Sequence, residues 1–148
     1  VIGPNPIGNL GKMLASIQSS KHIFLKGNKA RKSVVFASDV AIFISNWLKY
    51  DEKKSGIVNL TSGKAPTFNW IENTIRQYTG SKFFFAFPVG LLWKTIVFLK
   101  HRLGISIPVL GKIFYPVTFS DHLARTKFNY QSKELNQTNF INELNSNH

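Results

Sequence analysis

The chain has 148 residues, 43% of them hydrophobic and 14% aromatic, enough for a folded domain with its own core and too apolar for a disordered chain. Nineteen Lys and Arg against seven Asp and Glu give a formal charge of +12, which favours anionic partners: nucleic acid, phosphorylated small molecules or an acidic membrane surface. The absence of cysteine excludes a disulfide framework and a thiolate metal site and fits a reducing compartment, the cytoplasm being the default.

In chain order, Val1–Ile7 lacks the basic stretch and apolar core of a signal peptide, and an opening without Met reads as processed or truncated. "IGNLGKMLASIQSS" spaces Leu10, Met13, Leu14 and Ile17 as a helix face, and "HIFLKG" follows as a short strand closed by a turn at Gly27-Asn28. "SVVFAS" reads as a strand and "DVAIFISNWLKY" as a helix, with Asp39 as its N-cap or first-turn acid and Val40, Phe43, Ile44, Trp47 and Leu48 as its buried face. After the solvated run Asp51 to Lys54, "IVNLTS" reads as an apolar strand. Thr67 then caps a helix bearing Phe68, Ile71, Ile75 and Tyr78 that stops at Gly80. "KFFFAFP" predicts a further strand, Val89 to Leu103 a broad-faced helix, and Ser106 to Pro116 a loop or short helix. From Asn129 the composition turns to Asn, Gln and Ser, so a frayed tail is expected from about residue 136 to 148. The alternation argues for an α/β or mixed α+β fold, in one domain or part of one, and no apolar stretch reaches the ~20 residues a membrane crossing needs.

The densest charge is Lys26, Lys29, Arg31 and Lys32, ahead of the apolar run that begins at Val34. Such a knot serves as a nucleic-acid patch, a clamp for a compact anion such as a diphosphate, or a solvated turn. A nucleic-acid platform wants exposed aromatics, whereas Phe24 and Phe36 lie inside apolar runs, which disfavours that option. Lys32, beside the expected strand, is the best held of the four cations. "VIGPNPIGN" leads into a helix whose free N–H groups suit an anion, yet no stretch has the G-x-G-x-x-G or Walker A spacing. The four His show no metal-ligand spacing, and no metal site is expected. Ser120-Asp121-His122 does not make a triad by adjacency. Two Y-x-x-x-K matches, at Tyr50 and Tyr78, lack the continuous buried helix that would lower a tyrosine pKa.

Taken together and in order, "VIGPNPIGNLGKML", "KGNKARKSVVFASDVAIFI", "GIVNLTSGKAPTFNWIENTI" and "TFSDHLARTKFNY" resemble the C-terminal portion of the extended short-chain dehydrogenase/reductases, specifically the bacterial NAD-dependent nucleotide-sugar epimerases and dehydratases. They are similar to that family's V-Y-G-P segment, its Arg-led strand ending in Val-Asp-Asp-Val-Ala, its last parallel strand and helix, and its late Lys-Ala-Arg helix before Leu-Gly-Trp. The resemblance spans nearly the whole chain. It implies the substrate-binding part of a Rossmann-type protein with one edge strand of the cofactor sheet, and a fragment without the cofactor motif and the catalytic Tyr and Lys. NAD(P) would then belong to the intact parent, and no catalytic residue is expected in this chain.

Carried over by position, the family's diphosphate-binding arginine falls on Lys32, which offers a point charge where arginine offers a fork. The resemblance places Asn9 and Leu10 beside the nucleotide, Met13 and Phe24 against its base, Asn59 in the Y-N-L motif, and Gly3 and Pro4 on the cofactor side. The later Arg-Pro-Gly-Asp clamp is missing, with Lys112 as a substitute. The implied function is binding of the diphosphate of a UDP-type sugar in surface polysaccharide biosynthesis, in the cytoplasm or peripheral to the inner membrane, with homodimerisation a property of the intact parent and no nucleic-acid partner. The alternative is a non-enzymatic basic module that joins an anionic membrane surface or a lipid-linked diphosphate through "LLWKTIVFLKHRLG", although core packing is the preferred explanation for so apolar a helix.

Overall fold

The computed structural model describes residues 1–49, 55–82, 85–103 and 113–146. The fold is α+β: six helices and a two-stranded parallel sheet among the described residues. The chain divides into two compact units, Val1–Leu10 with Ser33–Ala65 and Thr118–His148, and Gly11–Lys32 with Pro66–Val117. Helix α1 (Gly8–Gln18) enters the second unit at Gly11.

The second unit is built on β1 (Ile23–Lys26) and β2 (Phe85–Pro88), paired parallel with Ile23 opposite Phe85 and Lys26 opposite Pro88. Parallel strands need a crossover, and α3 (Phe68–Thr79) lies between them in sequence and packs on β1. Its start and stop follow the local chemistry. The Thr67 side chain accepts from the Trp70 N–H at 3.2 Å, and Gly80 ends the helix at φ 64°, a left-handed conformation that suits glycine. Ile71 and Ile75 are buried, as are Ile17, Phe24 and Leu25 of the same unit. Helix α4 (Val89–Leu103) follows β2 directly and has the predicted bounds.

The first unit holds α2 (Ala37–Leu48), α5 (His122–Phe128) and α6 (Gln137–Asn145). Its core consists of Ile2, Phe36, Ala124, Phe128, Tyr130, Phe140 and Leu144, with the Phe43 ring edge-on to those of Phe128 and Tyr130. No side chain of the N-cap residue Phe36 caps α2. Glu143 of α6 fills that role: its carboxylate accepts from the Ser38 N–H at 2.7 Å and the Ser38 hydroxyl at 2.8 Å, satisfying a donor that the helix start leaves open. Burial alone would raise the Glu143 pKa, but these bonds and the Lys133 ammonium bring it below the ordinary value. Asp39 sits in the first turn, buried, where its carboxylate accepts from the Lys133 N–H at 3.0 Å; burial raises its pKa.

The structure corrects four expectations. "SVVFAS" and "IVNLTS" form no regular strands. They meet through one backbone bond, Ser62 N–H to the Val34 carbonyl at 2.8 Å, while the first segment makes an isolated bridge with Ile2, and Ile57 is 95% exposed, so no ladder forms. The α2 face is not buried as a whole: Ile44, Trp47 and Leu48 are 49%, 41% and 70% exposed, because only Val40 and Phe43 turn toward the core. The tail expected to fray from residue 136 is a capped helix. Asn136 accepts from the Asn139 N–H at 2.8 Å, and Phe140 is fully buried. Polar composition conceals an apolar stripe, Phe140 and Leu144, four residues apart on one helical face. The solvated run 51–54, Phe83 and Phe84, and most of the 106–116 loop lie outside the described residues.

If α6 is part of the core, Phe140→Ala should cost about 3–5 kcal/mol in urea-denaturation stability. A frayed tail would leave the midpoint unchanged.

Candidate functional site

In the second unit the five residues Asn28–Lys32 form a rail held from both sides, with Arg31 and Lys32 in single bridges to Thr67 and Val117. On one side the Phe68 N–H donates to the Ala30 carbonyl at 2.8 Å, and the Lys32 N–H to the Pro66 carbonyl at 2.9 Å. On the other the Val117 N–H donates to the Arg31 carbonyl at 2.8 Å. Burial alternates along it: Asn28 and Ala30 are buried, at 3% and 7% exposure, while Lys29 and Arg31 are exposed. Asn28 anchors the rail. Its Oδ1 accepts from the Ala30 N–H at 3.0 Å, and its Nδ2 donates to the Ile113 carbonyl at 3.2 Å.

Lys29 and Arg31 line an open cleft of about 700 Å³, whose lining also includes Trp93, Phe114 and Tyr115. The Trp93 ring stands edge-on to Phe114 at 5.2 Å and to Tyr115 at 5.9 Å, a geometry that lets aromatic quadrupoles attract and stiffens the wall. Lys32 reinforces this wall from behind. Its ammonium donates to the Tyr115 carbonyl at 2.6 Å, and burial lowers its pKa. Two cations beside a largely apolar, aromatic surface suit a ligand with a compact anionic group and a flat ring.

The first unit offers a smaller, polar cleft of about 420 Å³ lined by Ser62, Lys64, Asp121, Arg125, Lys133 and Glu134 among others. Here each cation already faces a carboxylate: Arg125 meets Asp121 at 2.8 Å, Lys64 meets Glu134 at 3.4 Å and Lys133 meets Glu143 at 3.3 Å. The hydrogen bond from Arg125 holds Asp121 below the usual carboxylate range, outweighing burial, with a second bond from Thr61 at 3.0 Å. Nearby, burial together with Asp39 and Asp121 pushes the Tyr130 phenol up to about 12, and its hydroxyl donates to the Thr61 carbonyl at 3.0 Å.

The residues carried over by resemblance divide between the units. Gly3, Pro4, Asn9, Leu10 and Asn59 belong to the first. Gly3 is buried, and a Cβ there would lie 2.8 Å from the Ala37 Cβ, so packing alone demands glycine. Asn9 and Asn59 are exposed, Pro4 and Leu10 half-buried. Met13, Phe24 and Lys32 belong to the second unit. Met13 is half-buried, and Phe24, at 3% exposure with His22 edge-on at 4.9 Å, is a core residue that leaves no free face for a base. Lys112 lies outside the described residues.

Sequence reasoning missed Asn28, Trp93, Phe114 and Tyr115. Only the turn character of Gly27-Asn28 signalled the first. It also missed a Ser-His-Glu array: Ser16 Oγ lies 3.0 Å from His22 Nδ1, and His22 Nε2 lies 2.9 Å from a Glu72 oxygen. The Ser16 hydroxyl also reaches the Met13 carbonyl at 2.8 Å, and Glu72 is fully buried with the Leu25 N–H at 3.4 Å. These contacts give the array a tying role among α1, β1 and α3. Asp121 bonds to Arg125 and Thr61, while Ser120 caps the His122 N–H at 3.3 Å, so that tripeptide forms no relay. Among the described residues there is no cluster of three metal-ligating side chains and no helix long and apolar enough to cross a membrane.

No protein-family model, curated protein or solved structure matches the chain.

Removing the rail's anchor should be costly in a way that removing its cations is not. Asn28→Ala leaves the Ala30 N–H and the Ile113 carbonyl without this partner and is expected to destabilise by about 1–3 kcal/mol. The exposed Lys29→Ala should stay within about 0.5 kcal/mol of wild type in the same denaturation assay. Equal, small effects would contradict the anchoring role.

Proposed function

We propose that the chain is the substrate-binding part of an extended short-chain dehydrogenase/reductase acting on nucleotide sugars, an NAD-dependent epimerase or dehydratase of surface polysaccharide biosynthesis on the cytoplasmic side. The observation that carries this reading is the joint placement of Lys29 and Arg31 with Trp93, Phe114 and Tyr115 around one cleft. A UDP-type sugar has the matching halves: a diphosphate for the cations and a planar base for the aromatic wall. The Arg31 guanidinium is planar and can engage two phosphate oxygens at once, and Lys29 adds a point charge beside it. In this arrangement the lysine assigned by resemblance, Lys32, contributes by holding the Tyr115 carbonyl that fixes the wall.

Local geometry elsewhere supports the resemblance. The segment similar to the late Lys-Ala-Arg helix forms α5, with Ala124 buried, Asn129 left-handed at φ 50° where relatives carry glycine, and Tyr130 buried where they carry tryptophan. Thr67 caps the helix of the segment similar to the last strand and helix.

The residues present do not fit a dinucleotide. No G-x-x-G-x-x-G stretch occurs in the sequence, and Gly3 is accounted for by its approach to Ala37. No redox step is therefore assigned to this chain. Its part in the parent enzyme is orientation: the diphosphate is fixed on a rigid rail so that the sugar is presented in one pose.

Calorimetric titration of the folded chain with UDP-N-acetylglucosamine should give saturable binding that Arg31→Ala weakens about tenfold or more, equivalent to ~1.4 kcal/mol. Lys64→Ala, in the polar cleft of the first unit, should leave the affinity unchanged. Binding indifferent to Arg31→Ala, or weakened instead by Lys64→Ala, would contradict the assignment.

A further inference from the structure

We propose that α4 is also an interfacial helix, resting its outer face on an anionic lipid bilayer. At about 100° per residue, Val89, Gly90 and Trp93, which line the cleft, centre on one side of the helix, and Leu91, Lys94 and Phe98 centre on a side turned roughly 125° away. This outer side is in solvent: Leu91 is 54% exposed and Phe98 is 61% exposed, with exposed Lys94 between them. Two large apolar side chains one turn to either side of a lysine form an amphipathic surface. The lysine stem lies along the apolar layer while its ammonium reaches the headgroups.

Charge selects the occupant. Helix α4 contains no acidic residue, its sequence ends Lys100-His101-Arg102-Leu103, and the chain carries +12 overall, so the surface complements anionic headgroups. A second copy is a poorer fit. A symmetric contact through this face would set each Lys94 near its counterpart and bury like charges together. The helix is too short and too interrupted by charge to span the bilayer, so it lies along the surface. Because the cleft and this face are on different sides of α4, attachment leaves the cleft open, and an enzyme held at the surface would meet substrates destined for lipid carriers. The docking itself does not depend on what the cleft binds.

The test is co-sedimentation of the whole chain with vesicles of phosphatidylcholine alone or with a phosphatidylglycerol fraction, at about 20 mM and about 150 mM salt. Sedimentation velocity runs in parallel for self-association. The expected result is pelleting with the anionic vesicles only, weaker at the higher salt, and reduced about tenfold in the Leu91→Ser/Phe98→Ser double variant. Both positions are exposed, so the variant should retain wild-type circular dichroism and its UDP-sugar affinity. Three results would overturn the proposal: no pelleting of wild type with anionic vesicles at the lower salt, pelleting unchanged in the double variant, or a dimer that the double variant abolishes without any vesicle binding.

Discussion

The cleft of the second unit depends on one backbone constraint, the clamping of Asn28–Lys32 between the 66–68 segment and Val117. A free loop carrying three cations would spread its charges through solvent and lose side-chain entropy on binding. Here alternate carbonyls and amides are committed to partners on both sides, so the side-chain alternation is fixed before any ligand arrives. Buried Asn28 and Ala30 set the register, and Lys29 and Arg31 are consequently carried on one edge. Lys32 closes the arrangement by tethering the carbonyl of Tyr115, one of the aromatic residues that face those cations. The basic stretch is thus held in place by its own backbone bonds.

The first unit uses charge in the opposite manner. Glu143 caps the start of α2, Asp39 receives the Lys133 N–H, and Asp121 holds Arg125 and Thr61, so its buried carboxylates are structural partners for helix ends and cations. Buried carboxylates persist only when such bonds satisfy them. The same logic explains Glu72 in the second unit, whose full burial is compensated by His22 and the Leu25 N–H. The two clefts differ in their linings: that of the second unit combines Lys29 and Arg31 with aromatic side chains, and that of the first combines its cations with carboxylates.

Local chemistry made parts of this legible in the sequence. Thr67 and Gly80 mark the ends of α3 because a cap and a left-handed residue are local requirements, and Val89 to Leu103 is helical because its apolar residues follow one another without a breaker. The apolar runs at 33–38 and 57–62 misled, since a strand exists only when a neighbour completes a ladder, and these segments exchange single bonds. Helix α6 was hidden because Phe140 and Leu144 are few among Asn and Gln. For the site, the cations at 29 and 31 stood out as charge, whereas Phe114 and Tyr115 lie more than eighty residues further on, and only the folded chain brings them to the same cleft. Phe24 resembled a base-stacking residue by position and is a core residue by burial.

The most direct test of the central claim, that the clamped rail and its aromatic wall form a nucleotide-diphosphate site, is a proton–nitrogen NMR titration of the folded chain with UDP. The account predicts saturable shifts confined to the amides of residues 28–32, 113–115 and 117, the Arg31 Nε–H and the Trp93 indole N–H. Shifts centred on Ser62, Arg125 and Ser132, or a spectrum unmoved at millimolar UDP, would contradict it.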